Sequence, residues 1–125
     1  MVTWSYREIP RSSLAPSIHT LSLSNNQIRA FPLEAIDGLP SLTWFTMRGN
    51  YIETIPEKPF SREKRMDKLD LGENFISAIP ANMFNNSLSV NDLNLDYNYI
   101  GIIDIDDVGA VKKKNNNLKT SNYGH

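Results

Sequence analysis

The chain has 125 residues, which is the length of one domain or of part of one. Its 13 basic and 14 acidic side chains give a net charge of −1, so charge favours neither nucleic acid nor an anionic membrane, and no apolar run is long enough to span a bilayer. Cysteine is absent and histidine occurs twice, which excludes disulfides and thiolate chemistry and argues against a His-based metal cluster.

The amino-terminal segment is read as an incomplete unit of the pattern that follows it. Residues 1–8 form a remnant, and residues 9–17 form a partial repeat around Ile9-Pro10. This partial repeat is shorter than the corresponding part of later units, and no strand half with the repeat pattern precedes it. Residues 1–20 also lack the apolar stretch of a secretory signal.

The central part of the chain repeats with a fixed period of 24 residues. An asparagine marks the same place in every unit, at Asn26, Asn50, Asn74 and Asn98. The units divide residues 18–108 into 18–41, 42–65, 66–89 and 90–108. A period of this size indicates stacked units that bury a shared core.

Each unit begins with a short pattern of alternating apolar and polar residues. Leu21-Ser22-Leu23 is typical, and it predicts a half-buried strand. Because the strands recur once per unit in the same direction, we expect a parallel sheet. Its inward columns are Leu21, Phe45, Leu69 and Leu93, then Leu23, Met47, Leu71 and Leu95, then Ile28, Ile52, Ile76 and Ile100.

The recurrent asparagine has a structural interpretation. Where the chain turns inward after a strand, backbone groups lose their ladder partners, and each unpaired buried group costs ~1–3 kcal/mol. An asparagine amide supplies donors and an acceptor, so it can bridge its own turn and the next repeat. A binding site made of the four asparagines is the alternative.

The second halves of the units also recur. They contain Phe31-Pro32, Ile55-Pro56 and Ile79-Pro80, followed by a bulky residue at Ile36, Phe60, Phe84 and Val108. Proline lacks an amide hydrogen and interrupts regular helix. We therefore expect irregular turns or short 3₁₀ segments, with the bulky residue reaching the core.

The pattern L-x-x-L-x-L-x-x-N-x-I, with its proline-containing second half, resembles the leucine-rich repeat family. It is similar to the 24-residue extracellular subclass found in chaoptin, connectin, Slit and Toll receptors. The resemblance implies an α/β solenoid with short parallel strands on a concave face and an asparagine ladder. It also implies an extracellular or cell-surface location and, for this chain, a fragment of a longer array. A complete small repeat protein is the alternative.

The carboxyl-terminal segment breaks the pattern. A fifth unit would begin at residue 114, but Lys112–Lys114 and the asparagines after it provide no strand motif. Residues 109–125 are polar and basic, so we expect a disordered tail. Both ends of the solenoid are therefore expected to lack a cap.

We expect recognition to use the concave face. Strand alternation places Trp44 and Arg48 there, and these residue types are enriched at binding hot spots. The same face holds Lys68, Asp70, Asp92, Asn94 and Asp96. Its aspartates form an acidic cluster that suits a basic partner, and simple solvation of an open sheet is the alternative.

A second candidate surface lies at the edge where the strands end. Tyr51, Phe75 and Tyr99 follow the recurrent asparagine in successive units, and Tyr97 lies close to them. Exposed aromatic patches of this kind mark partner contacts. Packing of each ring on the next unit explains the same residues equally well.

No catalytic motif, phosphate loop or metal-ligand spacing is present in the sequence, so we predict neither enzyme activity nor a cofactor. The acidic run Asp104–Asp107 is read as solvated rather than as a calcium loop. Asn85-Asn86-Ser87 makes Asn85 an acceptor for N-glycosylation if the chain is secreted. The expected function is protein–protein recognition, with another protein or a second copy as partner. The alternatives are an intracellular scaffold or regulatory subunit and a non-binding spacer.

Overall fold

A computed structural model of the chain describes residues 2–3, 15–56, 60–78, 87–99 and 117–122. These residues contain a parallel sheet whose strands follow one another in space as they do in the chain. The strands are β1 Val2–Thr3, β2 Thr20–Ser22, β3 Trp44–Thr46, β4 Lys64–Asp70, β5 Leu88–Asn98 and β6 Asn117–Asn122. A short helix, α1, spans Leu33–Asp37 between β2 and β3.

The strands of the repeating units pair at the interval that the sequence sets. Leu21 lies opposite Phe45, and Phe45 lies opposite Leu69. Leu69 in turn lies opposite Leu93. The prediction of a repeat solenoid with a parallel sheet is confirmed.

The core lies behind the sheet and contains the inward columns. The residues of the two strand columns are all buried, and so are Ile28, Ile52 and Ile76. Burial of apolar surface contributes roughly 25 cal/mol per Å², and here the neighbouring units supply the covering atoms. Ile36 and Phe60 are buried in the second halves, while Ile100, Phe84 and Val108 lie outside the described residues.

Two strands begin earlier than the sequence pattern predicts. The repeat pattern predicts extended segments centred on residues 68–72 and 92–96, whereas β4 begins at Lys64 and β5 at Leu88. The cause is a second stretch of alternation, because Lys64 and Met66 are buried opposite Leu88 and Val90. The added ladder lengthens the contact between these two units.

The second half of the first unit is helical rather than irregular or 3₁₀. After Pro32, the residues of α1 include the strong helix formers Leu33, Glu34 and Ala35. The Ile36 amide donates to the Pro32 carbonyl at 3.0 Å, and the Ile36 side chain is buried. Proline is tolerated because it precedes the first turn, where its missing amide hydrogen is not needed.

The recurrent asparagines join neighbouring turns. The Asn74 side-chain oxygen accepts a hydrogen bond from the Ile52 amide at 3.1 Å. Its amide nitrogen donates to the carbonyls of Met47, Leu71 and Gly72 at 3.0–3.1 Å. Asn50 and Asn98 repeat the arrangement and are also buried.

The direction of the ladder differs from the expectation. We expected each asparagine to reach the next unit, but Asn50 bonds to the Ile28 amide and the Leu23 carbonyl of the preceding one. Asn50 also donates to the Met47 carbonyl of its own turn, so the asparagine joins its own turn to the one before it. Asn26 is partly exposed and donates to Leu23 and Ser24 within its own turn.

Each end of the repeat stack carries an additional strand. β1 pairs with β2, with Val2 opposite Leu21. At the other end, β6 pairs with β5, with Leu118 opposite Leu93. A strand edge offers unpaired backbone groups to any extended segment. Pairing there does not depend on the apolar motif that the sequence lacks.

Candidate functional site

Alternation along the strands gives the sheet one buried and one exposed face. In β3, the Phe45 side chain is buried, whereas Trp44 is exposed over 50% of its surface. Thr46 and Arg48 lie on the same side as Trp44 and are partly exposed. The Trp44 face, called the exposed face below, carries the residues that the sequence assigned to recognition.

A groove of about 300 Å³ runs over β2, β3 and β4 on this face. Trp44 and Arg48 line it, and the hydroxyl-bearing residues in it are Thr20, Ser22, Ser24 and Thr46. The hydroxyls of Ser24 and Thr46 lie 3.0 Å apart across two units. The sequence did not single out these hydroxyl residues, because small polar side chains on a sheet also satisfy simple solvation.

Lys68 approaches Trp44 across the strands. Its ammonium lies 5.2 Å from the centre of the indole ring, which is within range of a cation–π interaction. In register, Lys68 lies between Trp44 and Asp92. No ion pair joins Lys68 to Asp92 in the described structure, so the lysine contacts the ring instead.

Arg48 binds three carboxylates from neighbouring units. Its Nη1 lies 2.9 Å from Asp96 and 3.3 Å from Asp70, and its Nε lies 2.8 Å from Glu73. The hydrogen bond to Asp96 raises the pKa of Arg48 above its ordinary value, burial opposes the rise, and the charges of Asp70, Asp96 and Glu73 reinforce it. Arg48 therefore links the units of β3, β4 and β5 rather than standing free for a partner.

Gly72 makes room for this cluster. A methyl group at Gly72 would collide with Nη1 of Arg48 and with a carboxylate oxygen of Asp96. The Gly72 amide also donates to Asp70 at 2.9 Å. A glycine that looked unremarkable in the sequence thus permits the close approach of two charged side chains.

The aspartates of the exposed face separate into two groups. Asp70 and Asp96 hold Arg48, whereas Asp92 is partly exposed and has no ion pair within the described ranges. The Asn94 side chain accepts a hydrogen bond from the Asp96 amide at 2.9 Å, within β5. The acidic cluster inferred from sequence is therefore partly neutralised from within.

The aromatic residues at the turn edge form a continuous row. The ring centres of Tyr51 and Phe75 lie 6.1 Å apart, and those of Phe75 and Tyr99 lie 5.9 Å apart and are stacked. Each remains exposed over 40–46% of its surface. We call these three residues the aromatic strip. The rings pack on neighbouring units and still present surface, so both interpretations stay open.

Two further residues contact Arg48, and of these only Glu73 went unnoticed in the sequence. Tyr97, also exposed, has its ring 6.0 Å from the Arg48 guanidinium. Glu73 adopts a left-handed backbone with φ of 52° and reaches Arg48 from the turn. Glu73 follows Arg48 by about one repeat, which could have indicated their contact. A charged residue at a turn, however, is ordinarily solvated.

A buried cation lies away from the exposed face. The Lys64 ammonium donates to the Leu39 carbonyl at 3.0 Å and lies 5.6 Å from the Phe60 ring. Burial lowers the pKa of Lys64, and the charge of Asp37 acts in the opposite direction. The repeat pattern does not indicate this lysine, because the same position in the preceding unit is Pro40.

Among the residues that the structure describes, no cluster of three or more His, Asp or Glu side chains is arranged to hold a metal ion. Asn85 and Asp104–Asp107 lie outside those residues. The same described ranges include no helix with the length and apolar character needed to cross a membrane.

The family model for leucine-rich repeats matches residues 8–52, about a third of the chain. This match supports assignment to a leucine-rich repeat family, whose domains commonly mediate protein–protein interaction and are typically non-enzymatic. Comparisons with curated proteins and with solved structures found no match.

Proposed function

We propose that this chain is a protein-recognition module that binds its partner through the groove at Trp44. The observation that carries the proposal is an indole exposed over 50% of its surface beside a groove of about 300 Å³. A large aromatic ring on a rigid strand offers apolar area at low cost in conformational entropy. Desolvation of such a ring by a partner makes a strong anchor.

The acidic rim of β5 extends this surface. Asp92 lies beside the groove-lining Lys68 in register, and Asp96 keeps part of its side chain exposed while it holds Arg48. Charges at a rim mainly speed association and select partners. A joint change of Asp92 and Asp96 to Asn should therefore slow association with a basic partner and weaken its salt dependence.

The proposed setting is the ectodomain of an adhesion or receptor protein. The 24-residue period and the proline-containing second halves support this setting, because they resemble the extracellular subclass. An intracellular scaffold and a non-binding spacer are the competing roles, and a test has to separate all three.

The test is a binding screen of the full-length protein against two panels, one of secreted and cell-surface ectodomains and one of cytosolic proteins. Each binder is then measured with Trp44→Ala. We expect binders in the first panel and a loss of about 2 kcal/mol of affinity, or about 30-fold, with little change in thermal stability. Arg65→Ala is the matched control, since its side chain is 82% exposed on β4 and lies outside the groove.

Three outcomes would count against parts of the proposal. Binders confined to the cytosolic panel would favour the intracellular role, and no binder in either panel would favour the spacer. Unchanged affinity of Trp44→Ala, combined with loss of affinity on changing Tyr51, Phe75 and Tyr99, would place recognition on the aromatic strip.

A further inference from the structure

The groove at Trp44 is extended along the strands. Its lining reaches from Thr20 to Ser24 in the first unit and from Trp44 to Arg48 in the second. At a rise of ~3.3 Å per residue, the four steps from Trp44 to Arg48 span roughly 13 Å. Alternate side chains of an extended segment point to the same side, so two of its side chains four residues apart can meet the two ends of the groove.

The Trp44 end of the groove offers apolar surface and a balanced charge. The ammonium of Lys68 lies 5.2 Å from the centre of the indole ring, and Asp92 adjoins Lys68 in register. One positive and one negative side chain therefore offset each other here. Because the ammonium lies closest to the ring, a second cation on Trp44 would be repelled, whereas an uncharged apolar side chain would not.

The Arg48 end of the groove carries an excess of negative charge. Asp70, Glu73 and Asp96 share the single charge of Arg48, which leaves two negative charges unbalanced. Arg48 contacts one oxygen of each carboxylate, and the second oxygens of Glu73 and Asp96 accept no hydrogen bond from the described part of the chain. The Glu73 side chain is 46% exposed and that of Asp96 is 22% exposed, so both remain open to an added cation.

The middle of the groove is small and uncharged. Ser22 and Thr46 lie opposite each other in register and contribute hydroxyl groups. The Thr46 hydroxyl already lies 3.0 Å from that of Ser24. A segment above them needs a small, uncharged residue between the two that contact the ends, and its polar groups can exchange hydrogen bonds with the hydroxyls.

We infer that the groove receives an extended basic segment of a protein partner, with a defined spacing. An apolar side chain packs on Trp44, and a Lys or Arg four residues away in the segment binds beside Glu73 and Asp96. The inference rests on the proposed function and adds the spacing and orientation of the partner segment. Charge complementarity carries it, because the unbalanced negative charge lies at one end of the groove and the exposed indole at the other.

The experiment uses synthetic peptides that contain one Phe and one Lys in a background of Ser and Thr. The Lys stands three or four residues from the Phe, in both chain directions, and Glu or Gln replaces it in matched peptides. The full chain carries Trp4→Phe, so that Trp44 is the single indole and its fluorescence reports binding directly.

We expect the peptide with the four-residue spacing, in its better chain direction, to bind about tenfold more tightly than its Glu counterpart, and added salt should reduce this ratio. A Lys three residues from the Phe points to the opposite side of an extended segment. That peptide should bind at least about threefold more weakly than the one with the four-residue spacing.

Glu73→Gln and Glu63→Gln form a matched pair. Both carboxylates are exposed and pair with an arginine, but Glu63 precedes β4 and Glu73 follows it at the Arg48 end of the groove. Glu73→Gln should bind the Lys peptide about threefold more weakly and the Gln peptide as the parent does, while Glu63→Gln should leave both affinities within about 1.5-fold. Asp96→Asn gives the same test if Glu73→Gln lowers the thermal stability.

The inference is overturned if the Glu peptide binds as tightly as the Lys peptide, or if the two Lys spacings bind equally. An unchanged affinity of Glu73→Gln and Asp96→Asn for the Lys peptide also overturns it, as does the absence of any Trp44 fluorescence change with millimolar Lys peptide. If Trp44→Ala weakens binding of the partner from the protein panels while Glu73→Gln and Asp96→Asn do not, this inference fails alone. If Trp44→Ala leaves that partner's binding intact, the proposed site fails with it.

Discussion

At the turn edge, Asn50, Asn74 and Asn98 make nearly the same hydrogen bonds in three successive units. On the exposed face, one column of equivalent positions holds Thr20, Trp44, Lys68 and Asp92. Both regions have the same period, yet one keeps its residue and the other changes it in every unit. The constant positions satisfy buried backbone groups, which are identical in each turn. The variable positions face solvent, where stacking imposes no single residue and recognition can be built.

The core residues belong to the constant positions, and a substitution there should cause the largest loss of stability. Leu71→Asp places a charge among buried apolar side chains, and we expect it to cost about 4 kcal/mol or more and to unfold the central units. Circular dichroism during urea unfolding measures this. Ser77→Asp, at an exposed position, is the control and should remain close to the parent. A folded Leu71→Asp would show that the central column does not support the stack.

Substitutions in the asparagine ladder should cause the next largest loss of stability. The loss should be larger at Asn74 than at Asn26. Asn74→Ala removes the partners of the Ile52 amide and of carbonyls in two units, so we expect a loss of about 2–4 kcal/mol. Asn26→Ala should cost about 1 kcal/mol, because Asn26 is partly exposed and water can replace its bonds. Equal losses in urea unfolding would contradict the ladder as the source of coupling between units.

A substitution at Gly72 tests whether the charged cluster on the exposed face contributes to stability. Gly72→Ala displaces the ends of the Arg48 and Asp96 side chains, which are flexible and partly exposed, so we expect a loss of about 1 kcal/mol or less. Gly38→Ala is the control, since its added carbon would meet only ordinary contacts at 3.6 Å or more. Combining Gly72→Ala with Arg48→Ala should cost less than the sum of the two separate changes, because the collision is then removed. Additive losses would mean that the cluster does not depend on the glycine.

Lys64 should give the smallest effect, visible as a pH dependence. Burial lowers its folded-state pKa below the ordinary 10.5, so the unfolded chain keeps this proton to higher pH than the folded chain does. Stability should therefore rise with pH between the lowered pKa and 10.5, by at most about 1.4 kcal/mol per pH unit. Lys64→Met should lose this rise, while other groups titrate equally in both proteins. The measurement is the difference in unfolding free energy across that range, and parallel pH curves would contradict it.

Most of the constant positions could be predicted from sequence, because a residue such as Asn74 recurs every 24 residues in the same environment. The early starts of β4 and β5 and the strand β6 could not, since backbone pairing there extends beyond the motif. On the variable side, alternation predicted that Trp44 would be exposed. It did not predict that Arg48 would be enclosed by carboxylates, which depends on Glu73 at a turn of the next unit.

The sequence also could not predict which of two neighbours the Lys68 side chain contacts. Strand register places Lys68 beside both Trp44 and Asp92, and either contact satisfies the pattern. The side chain extends over the ring, which leaves Asp92 without an ion pair in the described residues. Side-chain direction on an open sheet depends on local packing and hydration, and one sequence does not report those.

The most direct test of the account is hydroxyl-radical footprinting of the chain alone and in complex with its partner. Trp44 and the aromatic strip suit this measurement, because their side chains react readily and start from similar exposures of 40–50%. If the partner binds at the groove, binding protects Trp44 while Tyr51, Phe75 and Tyr99 keep their rates of oxidation. Protection of the strip with an unchanged rate at Trp44 would contradict it and would assign recognition to the turn edge.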